Sequence, residues 1–359
     1  MSYITDSGQP QKQKKSHMLF YVIFFLAVMF LTFHLIFNNT ELDDVYEALD
    51  LMRPEYLLAA ALDAVLFVAL EGIMIWYLLS ALHREYRLPG KGTGLLRCIS
   101  YSFIGFFYSG ITPSATGGQP MQLYHMKKDG NRLADSSVVL MTVAVLYKLV
   151  LSVIGLLIFL FWRAPLKMYL GKYMDLFVLG LFLNGGLVLL LLFVMFAPDT
   201  AGRVIHKLEG MLVRIHILKP SERRTKKING FINGYRESVG FLTTHVKKVL
   251  VVLLLTVLQR FSVFFLTWLV YRGFQLADTP IWDIMWLQAA TYISVDMLPI
   301  PGSQGITELV YKRAYTAVFP KKLLLPSMMA VRGLNFYLVF FIGLVVVLWN
   351  MFHNASHET

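Results

Sequence analysis

Long apolar runs alternate with short polar segments from one end of this chain to the other. Six runs, at 18–37, 56–79, 136–162, 173–197, 249–271 and 323–351, have about the length a helix needs to cross ~30 Å of hydrocarbon. Two further apolar regions, 95–126 and 282–319, are interrupted by stretches dense in Gly and Pro. One reads Gly110-Ile111-Thr112-Pro113-Ser114-Ala115-Thr116-Gly117-Gly118-Gln119-Pro120. The other reads Leu298-Pro299-Ile300-Pro301-Gly302-Ser303-Gln304-Gly305-Ile306-Thr307-Glu308. Hydrocarbon offers no water to the backbone groups such a break frees, so a lipid-facing helix could not tolerate it. Paired interruptions in the two halves of a chain point to a transporter's binding site. The pattern predicts two re-entrant hairpins whose tips face one central site.

The polar segments refine this. Residues 1–17 have little to bury and predict a disordered N-terminus. Residues 38–55 are acidic and include a sequon, Asn38-Asn39-Thr40, close to the membrane. Residues 163–172 read as a short connection. Within 198–248, Val204, Ile205, Leu208, Met211, Leu212 and Ile215 recur at helical spacing, and Ile228, Phe231, Ile232, Tyr235, Val239 and Leu242 repeat the pattern. These predict amphipathic helices on the cytoplasmic leaflet. Basic residues precede and follow the first broken stretch (Arg84, Arg87, Lys91, Arg97, then Lys127, Lys128, Arg132), which puts that hairpin's mouth in the cytoplasm. Lys312, Arg313, Lys321 and Lys322 run against the trend, on the outer side. With both termini cytoplasmic, the second repeat (173–351) has the order of the first (18–162) with opposite orientation. The expected fold is therefore an all-α polytopic membrane protein: about six transmembrane helices, two re-entrant hairpins in an inverted-topology repeat, and cytoplasmic amphipathic helices.

Composition agrees. Of 359 residues, 57% are hydrophobic and 15% charged, against roughly half and a quarter in soluble domains. A net charge of +11 serves either nucleic acid or membrane topology; the charges lie between the spans, which favours topology and no nucleic-acid partner. The single cysteine, Cys98, excludes an internal disulfide and a Cys-rich metal site. No cleavable leader is evident, and no metal, nucleotide or nucleophile motif suggests a cofactor or a catalytic centre.

Candidate chemistry sits at membrane depth, where ionisable groups are expensive and by default functional. These are Asp63, Glu71, Lys148, Arg260, Asp296, Glu308 and Arg332. Lys148, Arg260 and Arg332 suit an anionic head group, and Arg grips phosphate through a planar fork. Asp63, Glu71, Asp296 and Glu308 would balance charge or gate. The bland alternative is internal ion pairing that fixes helix packing, and it weighs most for Asp63, near a span end. At the tips, Thr112, Pro113, Thr116, Gly117, Gly118 and Gln119, and Gly302, Ser303, Gln304 and Gly305, could present backbone N–H groups and a helix N-terminus to the same ligand. The alternative there is a tight turn.

Thr112-Pro113, Gly117-Gly118, Pro120, then Leu298-Pro299-Ile300-Pro301-Gly302, Gly305 and Glu308 carry a family resemblance. In their order and spacing, over nearly the whole chain, the sequence resembles the flippase-like transmembrane region of lysylphosphatidylglycerol synthases. Ser303-Gln304 stands where the family more often has Gly followed by a small or apolar residue. The resemblance implies movement of aminoacylated phosphatidylglycerol, or another lipid-linked head group, between leaflets of a prokaryotic plasma membrane, and resistance to cationic antimicrobial peptides. Larger relatives carry a cytosolic aminoacyltransferase domain, which is not expected here because the chain stops soon after its last span. Two alternatives remain: a phosphatidylglycerol lysyltransferase, or a non-transporting membrane partner of a lipid-modifying enzyme. Homo-oligomerisation stays open.

Overall fold

The computed structural model describes residues 47, 49–86, 92–214 and 221–355. The predicted disordered segment 1–17, the first span at 18–37 and the sequon lie outside the described residues. Within them the chain is helical and has no strand. Five helical stretches are long and apolar enough to cross a membrane: Pro54–Glu85, Leu133–Phe161, Arg163–Phe196, Val246–Gly273 and Lys321–Phe352.

Helix α1 is Pro54–Glu85. Proline at its first turn lacks only an N–H that the helix would leave unpaired. The first interrupted region folds as α2 (Leu95–Ile111), a 3-10 turn at Pro113–Ala115 and α3 (Gly118–Lys128). Its arms run antiparallel: a Cβ on Gly105 would strike Gln122, and one on Gly118 would strike Ser109. Helix α4 (Leu133–Phe161) follows. The expected loop after it is a helix, α5 (Arg163–Leu170), turned by Gly171 at φ +53 into α6, Met174–Phe196. Amphipathic α7 (Pro198–Arg214) and α8 (Glu222–Thr244) precede α9 (Val246–Gly273). The second interrupted region gives α10 (Ile281–Val295), a 3-10 turn at Pro301–Ser303 and α11 (Ile306–Ala314). Helix α12 (Lys321–Arg332), a π-helical segment (Gly333–Leu338) and α13 (Val339–Ala355) complete the chain.

The last span is therefore not the single uniform helix that its hydropathy suggests. Pro326 removes one backbone donor inside α12, and the π segment inserts an extra residue into the next turns. Likewise, α8 does not lie with its apolar stripe free. Tyr235, Val239 and Leu242 are buried with Val138 and Val139 of α4. Ser238 donates to the buried Asp135 at 2.6 Å.

Helices α1 and α9 cross antiparallel at the centre. Ser262 donates to Asp63 at 2.7 Å, Gln259 donates to the Phe67 carbonyl at 2.8 Å, and Thr256 meets Met74 near the far end of α1. Each hairpin packs against its own preceding helix and against a helix of the other half: α2 on α1 and α13, α10 on α9 and α4, with α6 of its own half also against α10. Backbone approach is closest where Gly180 of α6 faces the Ile293 carbonyl of α10 and no Cβ could fit. Large apolar side chains such as Leu62, Phe182, Leu190, Leu254 and Trp349 point outward. In water such a belt would aggregate; here it is the lipid-facing surface.

Candidate functional site

The two hairpin tips pack against each other, Pro113–Ala115 against Pro301–Ser303. Both interruptions thus come together in the structure, although they lie far apart in the chain. Phe336 of the π segment packs on the second tip and on α2. Its ring is 6.0 Å from that of Phe106, and it occupies the space a Cβ on Gly302 would need.

The tips differ in construction. At the first, the Thr112 hydroxyl donates to the Tyr108 carbonyl at 2.7 Å and accepts from the Gly117 N–H at 2.8 Å. The Thr116 hydroxyl returns to the Pro113 carbonyl at 2.9 Å. The Gly117 N–H is thus directed inward, and Gly118 serves close contact between the arms. Pro113 opens the 3-10 turn, whereas Thr116 and Gln119 are exposed. Left-handed backbone occurs at one residue of the first tip, Ala115 at φ +55, and at three of the second, with φ +56 at Gly302, +51 at Ser303 and +81 at Gly305. Such values suit glycine and strain serine, a feature that clusters at functional sites. Ser303 donates to the Val295 carbonyl at 3.2 Å.

The deep charges fall into two connected groups. In one, Lys148 of α4 is paired with Asp296, just past α10. The Tyr147 hydroxyl lies 3.2 Å from Asp296 and 2.7 Å from the Tyr292 hydroxyl. Arg260 of α9 lies over the Tyr147 ring at 4.0 Å and the Phe67 ring at 4.8 Å. Glu71 of α1 accepts from Gln122 of α3 at 2.6 Å and interacts through charge with Arg260. This chain of contacts joins the first hairpin, both central helices, α4 and the approach to the second tip.

In the other group, Arg332 donates from Nε to Glu308 at 2.9 Å and from Nη2 to the Gly302 carbonyl at 2.7 Å. Tyr337 donates to Gln304 at 3.0 Å. Asp63 stands apart, with one oxygen bonded to Ser262 and the other, Oδ2, buried without a partner.

Two of the three deep cations are therefore paired. Among the described residues no carboxylate forms an ion pair with Arg260, which is 1% exposed, and its Nε and Nη1 have no hydrogen-bond partner. The two rings lie against the guanidinium, and its Nε and Nη1 are left to meet an acceptor. Gln122, Tyr147, Phe336 and Tyr337 were not singled out from sequence. A polar Gln122 within an apolar hairpin arm was the one available signal; the tyrosines and Phe336 look like ordinary span residues.

At the mouth of the first hairpin, Arg97 and Tyr101 both bind Asp129, and Arg97 also reaches Asn350. Burial pushes the Asp129 carboxyl up, but the hydrogen bonds from Arg97 and Tyr101 outweigh it and hold the group below its usual value. No group of three or more His, Cys, Asp or Glu among the described residues could hold a metal ion.

The spans, the converging interruptions and the charges at depth define a multi-pass, all-α membrane protein. The model of the lysylphosphatidylglycerol synthase TM region matches residues 18–343, and the chain belongs to that family. It is thus a membrane protein related to the handling of lysylphosphatidylglycerol. No curated protein matches the chain.

Proposed function

We propose that this protein is a lipid translocase that moves an anionic or aminoacylated phospholipid, or another phosphate-linked lipid, between leaflets of a prokaryotic plasma membrane. The observation that carries the reading is Arg260: a buried guanidinium, framed by two aromatic rings, with two of its nitrogens, Nε and Nη1, unpaired. A charged donor left so is costly, and a head-group phosphate crossing the bundle would satisfy it bidentately. Lys148–Asp296 and Arg332–Glu308 would hold α4 and α12 against the second hairpin while the lipid is absent. Interrupted helices meeting at depth are the architecture on which alternating access is built. By presenting aminoacylated lipid on the outer surface, such a protein would lower the cell's attraction for cationic peptides.

The test is leaflet exposure in reconstituted vesicles. Lysylphosphatidylglycerol is loaded inside, and its amine is followed as it becomes accessible to an impermeant reagent. Wild-type protein should accelerate exposure. Arg260→Ala should slow it by on the order of a hundredfold, the scale of two lost charged hydrogen bonds, while the gel-filtration profile stays unchanged. Wild-type rates in Arg260→Ala would remove the site assignment. The family's name favours one second reading, membrane partner of an aminoacyl-lipid synthase. A transferase co-purifying in fixed ratio, with no transport by this chain, would establish it.

A further inference from the structure

We propose that the second hairpin tip reads a hydroxyl group on the lipid's head group, through Gln304 and Glu308; the inference rests on the translocase reading above. Both side chains are buried, Gln304 at 3% exposure and Glu308 at 4%. Each has one end occupied. Tyr337 donates to Oε1 of Gln304 at 3.0 Å, which fixes the way the amide faces. Arg332 donates to Oε1 of Glu308 at 2.9 Å. The other ends, Nε2 of Gln304 and Oε2 of Glu308, are buried and have no hydrogen-bond partner in the protein. Buried polar atoms are nearly always paired, so two such atoms in one turn of chain call for an explanation.

The two atoms are of opposite kind, a donor and an acceptor. An ammonium has only donors and would leave the Gln304 amide unpaired. A phosphate oxygen has only acceptor capacity and would be repelled by the Glu308 carboxylate. A hydroxyl can donate to Glu308 and accept from Gln304. Arg332 does not compete for this role, because its second bond, to the Gly302 carbonyl at 2.7 Å, commits it to holding the tip. The backbone at Gly302, Ser303 and Gly305 is left-handed on both sides of Gln304, so the amide is placed by the turn. The occupant is then a polyol head group of the glycerol or sugar type.

The experiment uses the full chain purified in detergent and measures lipid retention by native mass spectrometry. Phosphatidylglycerol is compared with phosphatidylpropanol, which keeps the phosphate and the three-carbon chain but has no hydroxyl. Wild-type protein should prefer phosphatidylglycerol by about tenfold or more, since a site built around a hydroxyl rejects the analogue without it. Gln304→Met should bring the ratio near one without weakening phosphatidylpropanol, which also shows that the variant is folded. Arg260→Gln should weaken both lipids equally. A wild-type ratio near one, or a ratio unchanged in Gln304→Met, overturns the proposal, as does phosphatidylethanolamine outcompeting phosphatidylglycerol. If the preference holds but Arg260→Gln changes neither lipid, the phosphate assignment fails and the hydroxyl assignment stands.

Discussion

Lys148 and Asp296 are almost wholly enclosed, at 13% and 11% side-chain exposure, so either alone is a stranded charge. Breaking a buried pair from one side costs on the order of 3 kcal/mol, whereas replacing both partners with apolar groups can be nearly neutral. Lys148→Met and Asp296→Leu should therefore each lower the melting temperature of the detergent-purified protein, and the double variant should recover most of the loss. Additive losses would mean that the pair does not act as a unit. Arg260 should behave differently. It has no direct ion pair to break, and Glu71, its neighbour through charge, keeps the hydrogen bond from Gln122, so Arg260→Ala should cost transport more than stability. This asymmetry separates a cation that holds the bundle together from one that serves a ligand, a distinction that Lys148, Arg260 and Arg332 do not show in sequence. All three are simply basic residues in apolar runs, and which of them has a partner is decided by helices far apart in the chain.

Among the elements, α6 offers an internal control. Gly180 abuts the Ile293 carbonyl, while nothing lies within 4 Å of where a Cβ on Gly185 would stand. Gly180→Leu should separate α6 from α10 and cost about 1–3 kcal/mol, read as a lower melting temperature and poorer recovery. Gly185→Leu should change neither; equal effects would mean that bulk in the helix, not the contact, sets stability. The same contrast shows what sequence discloses. The two interruptions were legible because Gly and Pro break helices for local reasons, as at Pro113 and Pro301. The helix α5 was not, since its Arg163, Pro165 and Lys167 resemble a loop. The π segment carries no such mark: Gly333-Leu334-Asn335-Phe336 reads as continuous helix, although Phe336 packs there against Gly302 and Phe106. Glu71 was legible as a costly charge, but its partner Gln122 comes from another arm, and its polarity within an apolar arm did not say which residue it meets.

The arrangement of the whole molecule follows from two contacts already described. The antiparallel crossing of α1 and α9 puts their C-terminal ends at opposite ends of the pair, and each C-terminal end leads into a hairpin. Gly273, at the end of α9, receives the Arg53 N–H beside the start of α1, so the second hairpin begins where α1 begins and the first where α1 ends. Two hairpins that start at opposite ends and meet tip to tip would enter the membrane from opposite faces. Their mouths should then be sided. In a background lacking Cys98, cysteine at Lys128, past the first hairpin, should react with an impermeant thiol reagent only from the cytoplasmic side. Cysteine at Lys312, in the return arm of the second, should react only from the outside. Both positions are exposed in the structure, so access is governed by the membrane and not by packing. Reaction of both from one side would set the inverted repeat aside and leave the antiparallel helix pair without a topological meaning. Reaction from opposite sides would place Arg260 between two sided openings, the condition under which one phosphate site can be served first from one leaflet and then from the other.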